Sequence, residues 1–193
     1  MDLSLIKLIR EKTGAGLVDV QKALAEAGDN EAKALEVLRK KGQAKAIAKQ
    51  ERVTKEGRIF TYLHASGKVA ALVAVACETD FVAKNEAFLA LGNELALQVA
   101  AANPLYLTPE NIPSDLVEKE KEIYAELLRQ EGKPENIWPK IIEGKLEKYF
   151  TEVCLLNQVY IKDDSKKVAE LIQEAIMKLG ENIKVVQFSR SQL

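Results

Sequence analysis

Lys68-Val69-Ala70-Ala71-Leu72-Val73-Ala74-Val75-Ala76-Cys77-Glu78-Thr79-Asp80-Phe81-Val82 runs as an unbroken apolar strand that ends abruptly in polar and aromatic residues. Alternation places Val69, Ala71, Val73, Val75 and Cys77 on one face and Ala70, Leu72, Ala74 and Ala76 on the other. Both faces are apolar, whereas an antiparallel sheet commonly shows one face to water. This pattern predicts cover on both sides, by helices, with a second subunit as a further candidate cover. Upstream, Ile59-Phe60-Thr61-Tyr62-Leu63 reads as a partner strand, with Ser66-Gly67 as the hairpin turn.

Toward the C-terminus the period turns helical. From Asn85 to Ala102 the residues Phe88, Leu91, Leu95 and Val99 form a stripe that ends before Asn103-Pro104, so this helix is expected to cover the sheet. A proline-bearing loop from Leu105 to Ser114 follows. Asp115–Gln130 and Pro139–Leu156 then read as two helices split by Glu131-Gly132-Lys133-Pro134, a helical hairpin at about 115–156. Asp164 or Ser165 is the expected cap of a helix carrying Val168, Leu171, Ile172, Ala175, Ile176 and Leu179, stopped by Gly180. The last extended run, Ile183–Phe188, is a candidate third strand.

Toward the N-terminus, residues 1–42 read as three short amphipathic helices: Leu5, Ile6 and Ile9 behind an Asp2 cap, Leu17 to Ala27 before Gly28, and Ala34, Leu35 and Leu38 behind Asp29 or Asn30. Gly42 is read as the end of the third. A bundle of this size buries little surface and is expected to act as a recognition head. Between Arg39 and Arg58 eight Lys or Arg residues face only Glu51 and Glu56, so residues 43–57 are read as a basic, solvated linker or helix. The core then spans 58–193. The predicted class is α+β: a three-helix bundle, then a small antiparallel sheet of about three strands covered by helices.

Composition sets limits on function. Apolar residues make up 47% and charged residues 30%, with a net charge of −1, which suits a globular protein and names no polyelectrolyte partner. No basic lead precedes an apolar run, and no stretch of 18 apolar residues occurs, so neither export nor membrane spanning is expected. Cys77 and Cys154 lack the paired spacing of zinc or dithiol chemistry, which points to core residues in a reducing cytoplasm. His64 is the lone histidine and reads as a strand-end residue.

Two constellations remain. Gly14-Ala15-Gly16 lacks a dinucleotide fingerprint, because Asp19 stands at the third glycine position and no strand precedes it. Either the glycines permit a tight turn between helices, or they let a partner's backbone approach beside Leu17 and Val18. In Thr79-Asp80-Phe81-Val82, Thr79 or Asp80 can cap a helix. Phe81 then either folds back onto the core as a hydrophobic staple or stands exposed as an aromatic anchor beside a carboxylate. Glu78 and Asp80, two apart, have no apolar pocket to separate them into acid and base. Three function classes stay open from the residues: a partner-binding factor, an RNA-binding module using Arg39–Arg58, and a carboxylate-dependent enzyme.

The run Leu8-Ile9-Arg10-Glu11-Lys12-Thr13-Gly14-Ala15-Gly16-Leu17-Val18-Asp19-Val20-Gln21-Lys22-Ala23-Leu24 resembles the N-terminal signature of the bacterial translation elongation factor Ts family. Val75-Ala76-Cys77-Glu78-Thr79-Asp80-Phe81-Val82-Ala83-Lys84-Asn85 is similar to the family's core motif, in the family's order and separation. The chain departs from the family at Leu17-Val18, where methionines are common, at Val20, where a cysteine is common, and at Lys84, where arginine is usual. The resemblance implies a UBA-like N-terminal bundle and a guanine-nucleotide exchange factor that binds elongation factor Tu in its GDP-bound and nucleotide-free forms. It implies no covalent chemistry and no cofactor or metal of its own, and no direct nucleic-acid or membrane partner is expected, because the rest of the chain cancels the basic stretch, aromatics are not interleaved with it, and no long apolar run occurs. Thr79, Asp80, Phe81 and Val82 would disturb the partner's magnesium and phosphate site, and Thr13, Gly14, Ala15, Gly16 and Leu17 would meet its nucleotide-binding domain. The chain resembles the family's short form, in which two chains would do what two subdomains do in a longer one, so a homodimer is expected.

Overall fold

A computed structural model describes residues 2–49 and 51–193. Helix α1 (Leu3–Thr13) starts where Asp2 Oδ1 accepts the Ser4 N–H at 2.9 Å, and it closes on Gly14 at φ +66°. That left-handed residue turns the chain toward α2 (Leu17–Glu26). Asn30 Oδ1 accepts the Lys33 N–H at 3.0 Å and caps α3 (Glu31–Ile47). Ile9, Val20, Ala23, Leu24, Ala34 and Leu38 form the buried centre of this bundle.

Strands β1 (Glu56–Leu63) and β2 (Val69–Cys77) make the predicted hairpin, with Gly67 at φ +69° in its turn. One helical turn, α4 (Asp80–Ala83), leads into α5 (Glu86–Ala102), which Asn85 caps and left-handed Asn103 ends. Helices α6 (Ser114–Gln130) and α7 (Trp138–Val153) form the hairpin arm. Leu128 and Leu146 are its buried residues, so it packs mainly on itself. Strands β3 (Val159–Tyr160) and β4 (Asp163–Lys167) pair with each other. Helix α8 (Val168–Leu179) ends at Gly180, φ +80°, and β5 (Lys184–Gln192) follows. The main sheet is antiparallel in the order β1-β2-β5, so the last extended run does add the third strand, alongside β2.

Two expectations need correction. Helix α3 runs through Gly42 to Ile47. A Cβ at position 42 would lie 1.7 Å from the Met177 sulfur, so this glycine marks a close approach of α3 to α8 rather than a helix end. Asp164 and Ser165 belong to β4, and α8 begins behind Lys167, because residues 163–167 are held extended by pairing with β3.

The sheet takes its helical cover on one face. Helices α5 and α8 cover one face, sealing Phe60, Ala71, Val73, Val75 and Cys77 against Phe88, Leu91, Leu95, Val99, Ile172 and Ile176. Burying a large apolar side chain contributes roughly 1.5–3 kcal/mol, so this layer dominates the stability of the core. Gly92 lets α5 settle on the Phe60 ring, which stands 5.8 Å from Phe88 between centroids. Among the described residues no helix covers the opposite face, where Ile59, Leu63, Leu72 and Val186 are exposed. On β2 that face is mostly alanine, whose small apolar area makes exposure inexpensive. Among the described residues no helix is long and apolar enough to cross a membrane.

Candidate functional site

Where β2 ends, the chain makes a sharp, heavily bonded turn. Cys77 is fully buried, and its Sγ donates to the Thr79 carbonyl at 3.2 Å. The backbone N–H groups of Glu78 and Thr79 both donate to Glu181 Oε2, at 3.1 and 3.0 Å, and the Thr79 hydroxyl donates to Glu181 Oε1 at 2.7 Å. Thr79 Oγ1 also accepts the Val82 N–H at 3.4 Å, so Thr79, not Asp80, is the cap of α4. In return Glu78 Oε1 accepts the Asn182 N–H at 2.6 Å. Two loops far apart in sequence are thus bonded in both directions.

Within α4, Val82 and Ala83 face the core and are buried. A helical turn steps each side chain by roughly 100°, so the residue before them is directed away. Phe81 is 82% exposed, which decides between the two readings of its placement: it is no staple, and its ring stands in solvent. Beside it Asp80 is half-buried and pairs with Lys84 at 2.7 Å, and that hydrogen bond holds its carboxyl below the ordinary value. Glu78 and Asp80 therefore face different partners and do not converge as an acid–base pair.

The second constellation lies at the α1–α2 junction. Thr13 Oγ1 donates to the Ile9 carbonyl at 2.7 Å and accepts the Ala15 N–H at 3.2 Å, while Ala15 is buried. The two glycines divide the work. A Cβ on Gly14 would come within 2.9 Å of Lys178 Cγ, so this chain's own α8 uses that close approach. Gly16 meets only Asp19 Oδ2, at 3.9 Å, and leaves space beside Leu17 and Val18, which are 45% and 59% exposed. Thr13 and Gly14 also border a cleft of about 530 Å³ between the bundle and the core, with Leu38, Leu91 and Leu171 among its apolar lining.

The structure does not merge the two constellations into one site, but it braces both on the same end of α8. Lys178 carries Gly14, and Glu181, just beyond Gly180, carries Thr79. Sequence reasoning missed Glu181. A carboxylate following a helix-ending glycine reads as a loop residue, and its partner Thr79 is 102 positions away. The basic run is also tied into the chain: Arg39 pairs with Glu170, Lys40 with Glu36, Lys41 with Glu26, Arg52 with Glu78, and Lys49 donates to the Gly180 carbonyl. The Lys45 side chain lies outside the described residues. No group of three or more His, Cys, Asp or Glu suited to a metal ion occurs among the described residues.

What this arrangement offers is an exposed aromatic ring on a braced one-turn helix, with a carboxylate beside it and a second apolar patch on the bundle. The model of the family described as Elongation factor TS matches residues 9–193. Elongation factor Ts of Thermotoga petrophila is 53% identical over 193 residues, covering 100% of this chain and 96% of its own length. Elongation factor Ts of Maridesulfovibrio salexigens is 51% identical over 189 residues, covering 98% of this chain and 92% of its own. That of Thermotoga maritima is 51% identical over 193 residues, with 100% and 96% covered.

Proposed function

Since the chain belongs to the elongation factor Ts family, we propose that it is the guanine-nucleotide exchange factor of elongation factor Tu in the cytoplasm, acting without covalent chemistry. The observation that carries this reading is the 82% exposure of Phe81 on a turn whose N-terminal backbone is bonded to Glu181 and whose C-terminal residues are buried. A large ring held out from a rigid mount can enter an apolar pocket and shift the partner's backbone at little entropic cost.

The partner holds GDP through its phosphates and a magnesium ion, whose octahedral water shell tolerates little distortion. In this mechanism Phe81 would shift the partner's backbone near that shell, and Asp80 would disturb its waters. Thr79 caps the turn, and Val82 anchors it in the core. The bundle (residues 1–42) meets the nucleotide-binding domain through Thr13–Leu17, where Gly16, Leu17 and Val18 face outward. Residues 43–57 link it to the core of 58–193. Linkage sets the direction: a factor that weakens nucleotide binding by some ratio is itself bound more weakly, by the same ratio, in the presence of nucleotide. It therefore prefers empty elongation factor Tu and leaves as GTP enters.

Release of a fluorescent GDP analogue from elongation factor Tu, with magnesium and excess unlabelled nucleotide, tests this directly. Acceleration that saturates at catalytic amounts is expected. No acceleration by folded protein with its cognate partner refutes the exchange reading and leaves RNA binding by the basic run as the next test.

A homodimer is the second part of the proposal, and the open sheet face supports it. Ile59, Leu63, Leu72 and Val186 present an apolar patch that a second copy would cover. Sedimentation equilibrium should show a concentration-dependent dimer, dissociated by Leu72→Lys. A wild-type monomer at high concentration rejects it.

A further inference from the structure

Glu181 has no place in the exchange mechanism above, yet one carboxylate here takes three hydrogen bonds from the turn that carries Phe81. Helix α4 has four residues, far fewer than an isolated helix needs to hold its own shape. Its geometry must therefore come from its two ends. The C-terminal end is anchored by buried Val82 and Ala83. At the N-terminal end the anchor is Glu181, which collects two successive backbone N–H groups on one oxygen and the Thr79 hydroxyl on the other.

The hydroxyl bond has a second effect. With its proton directed at Glu181 Oε1, Thr79 Oγ1 keeps lone pairs for the Val82 N–H, so the carboxylate sets the capping hydroxyl as an acceptor. A charged acceptor also polarises that hydroxyl and strengthens a cap that is long at 3.4 Å. Phe81 lies between the two anchors, and its ring is too exposed for packing to set its direction. The backbone of the turn must do so.

The geometry points to Glu181 as the positioning residue that aims Phe81, an inference that rests on Phe81 being the displacing group. The loop holding Glu181 is itself fixed: Asn182, 2% exposed, donates its backbone N–H to Glu78 and its side-chain amide to the Arg52 carbonyl at 2.9 Å. The support therefore reaches from the end of α8 into the segment after α3. A carboxylate acting in this way changes how often Phe81 is presented correctly, which alters the rate of release from the bound complex more than the affinity of the complex.

The test measures release of the fluorescent GDP analogue from elongation factor Tu with wild type, Glu181→Ala, Glu181→Gln, Phe81→Ala and the Glu181→Ala/Phe81→Ala double variant. Each is checked for folding by thermal melting. Glu181→Ala should lower the saturated release rate roughly tenfold, the scale of a lost charge-assisted bond. The half-saturating concentration should stay within about twofold, and in the Phe81→Ala background the Glu181 change should cost less than about twofold, because the two act as one unit. Glu181→Gln keeps the shape and one acceptor oxygen and should fall between Glu181→Ala and wild type. If Glu181→Ala does not fold, the same cycle is run with Glu181→Gln. Equal losses with and without Phe81, or a change confined to the half-saturating concentration, assign Glu181 a merely structural role and overturn the inference. A slow Phe81→Ala with wild-type rates for the Glu181 variants overturns it alone. A wild-type rate for Phe81→Ala overturns it together with the displacement mechanism.

Discussion

Replacing Phe81 by alanine separates folding from exchange, because the ring contributes almost nothing to the free protein's core. Phe81 is 82% exposed, so stability should change by no more than about 0.5 kcal/mol, the usual range for surface substitutions. In the proposed complex the ring would be buried in a pocket of the partner, and losing that burial would forfeit about 1.5–3 kcal/mol. At a factor of ten per ~1.4 kcal/mol, exchange at limiting concentration should fall about 10- to 150-fold. Phe88 is the internal contrast: it is fully buried, and Phe88→Ala should destabilise the fold by about 3–5 kcal/mol. Stopped-flow release of fluorescent GDP, alongside thermal melts of both variants, reads the two effects separately. A Phe81→Ala protein that melts like wild type and exchanges like wild type refutes the reasoning. Asp80→Ala should be milder, since its partly exposed charge is screened by salt and already paired with Lys84, and a larger loss than for Phe81→Ala would reverse the assigned roles.

Gly92→Ala places a Cβ 2.2 Å from Phe60 ring atoms in a sealed layer, so overpacking toward the upper end of about 1–3 kcal/mol should exceed the gain in helix propensity of about 1 kcal/mol. The melting temperature should drop, and an unchanged or higher one would show that α5 has room to move. Burial pushes the thiols of Cys77 and Cys154 up to about 11, so the native protein should resist a thiol reagent at pH 8 and react only as it unfolds. Because those folded values lie above the ordinary 9.0, the stability linked to them is whole below pH 9.0 and is lost as pH rises toward about 11. Fast labelling of folded protein would contradict this. Partial burial of Glu94 opposes its charge, but hydrogen bonds from Lys162 and Tyr160 prevail and hold its carboxyl below 4.5. Its contribution is therefore present above pH 4.5 and lost as pH falls through the lowered value, so Glu94→Gln should flatten the acid limb of the melting curve against pH. An acid limb identical to wild type would show that Glu94 plays no such part.

Much of the architecture was legible in the residues because its signals are local. Asp2, Asn30 and Asn85 cap helices through side chains that reach only two or three residues onward, and Gly14, Gly28 and Gly180 end helices through their own left-handed φ. The alternation in β1 and β2 and the stripe on α5 sorted inward from outward residues in the same way. The motif around Phe81 was visible as well, but its meaning was not. Whether that ring folds inward or stands in solvent depends on Val82 and Ala83 taking the inward face of a single turn.

The sequence by itself determined the α+β class, the order of the main helices and of the three strands of the main sheet, and the family, since each rests on residues near one another in the chain. Only the tertiary structure decided that Gly42 admits Met177 rather than ending α3, that one sheet face is left open, and that Glu181 holds Thr79 across 102 positions. Periodicity and capping are written within a few residues of where they act. A close approach or a hydrogen bond between distant segments exists only once packing has brought them together, and no local pattern records the partner.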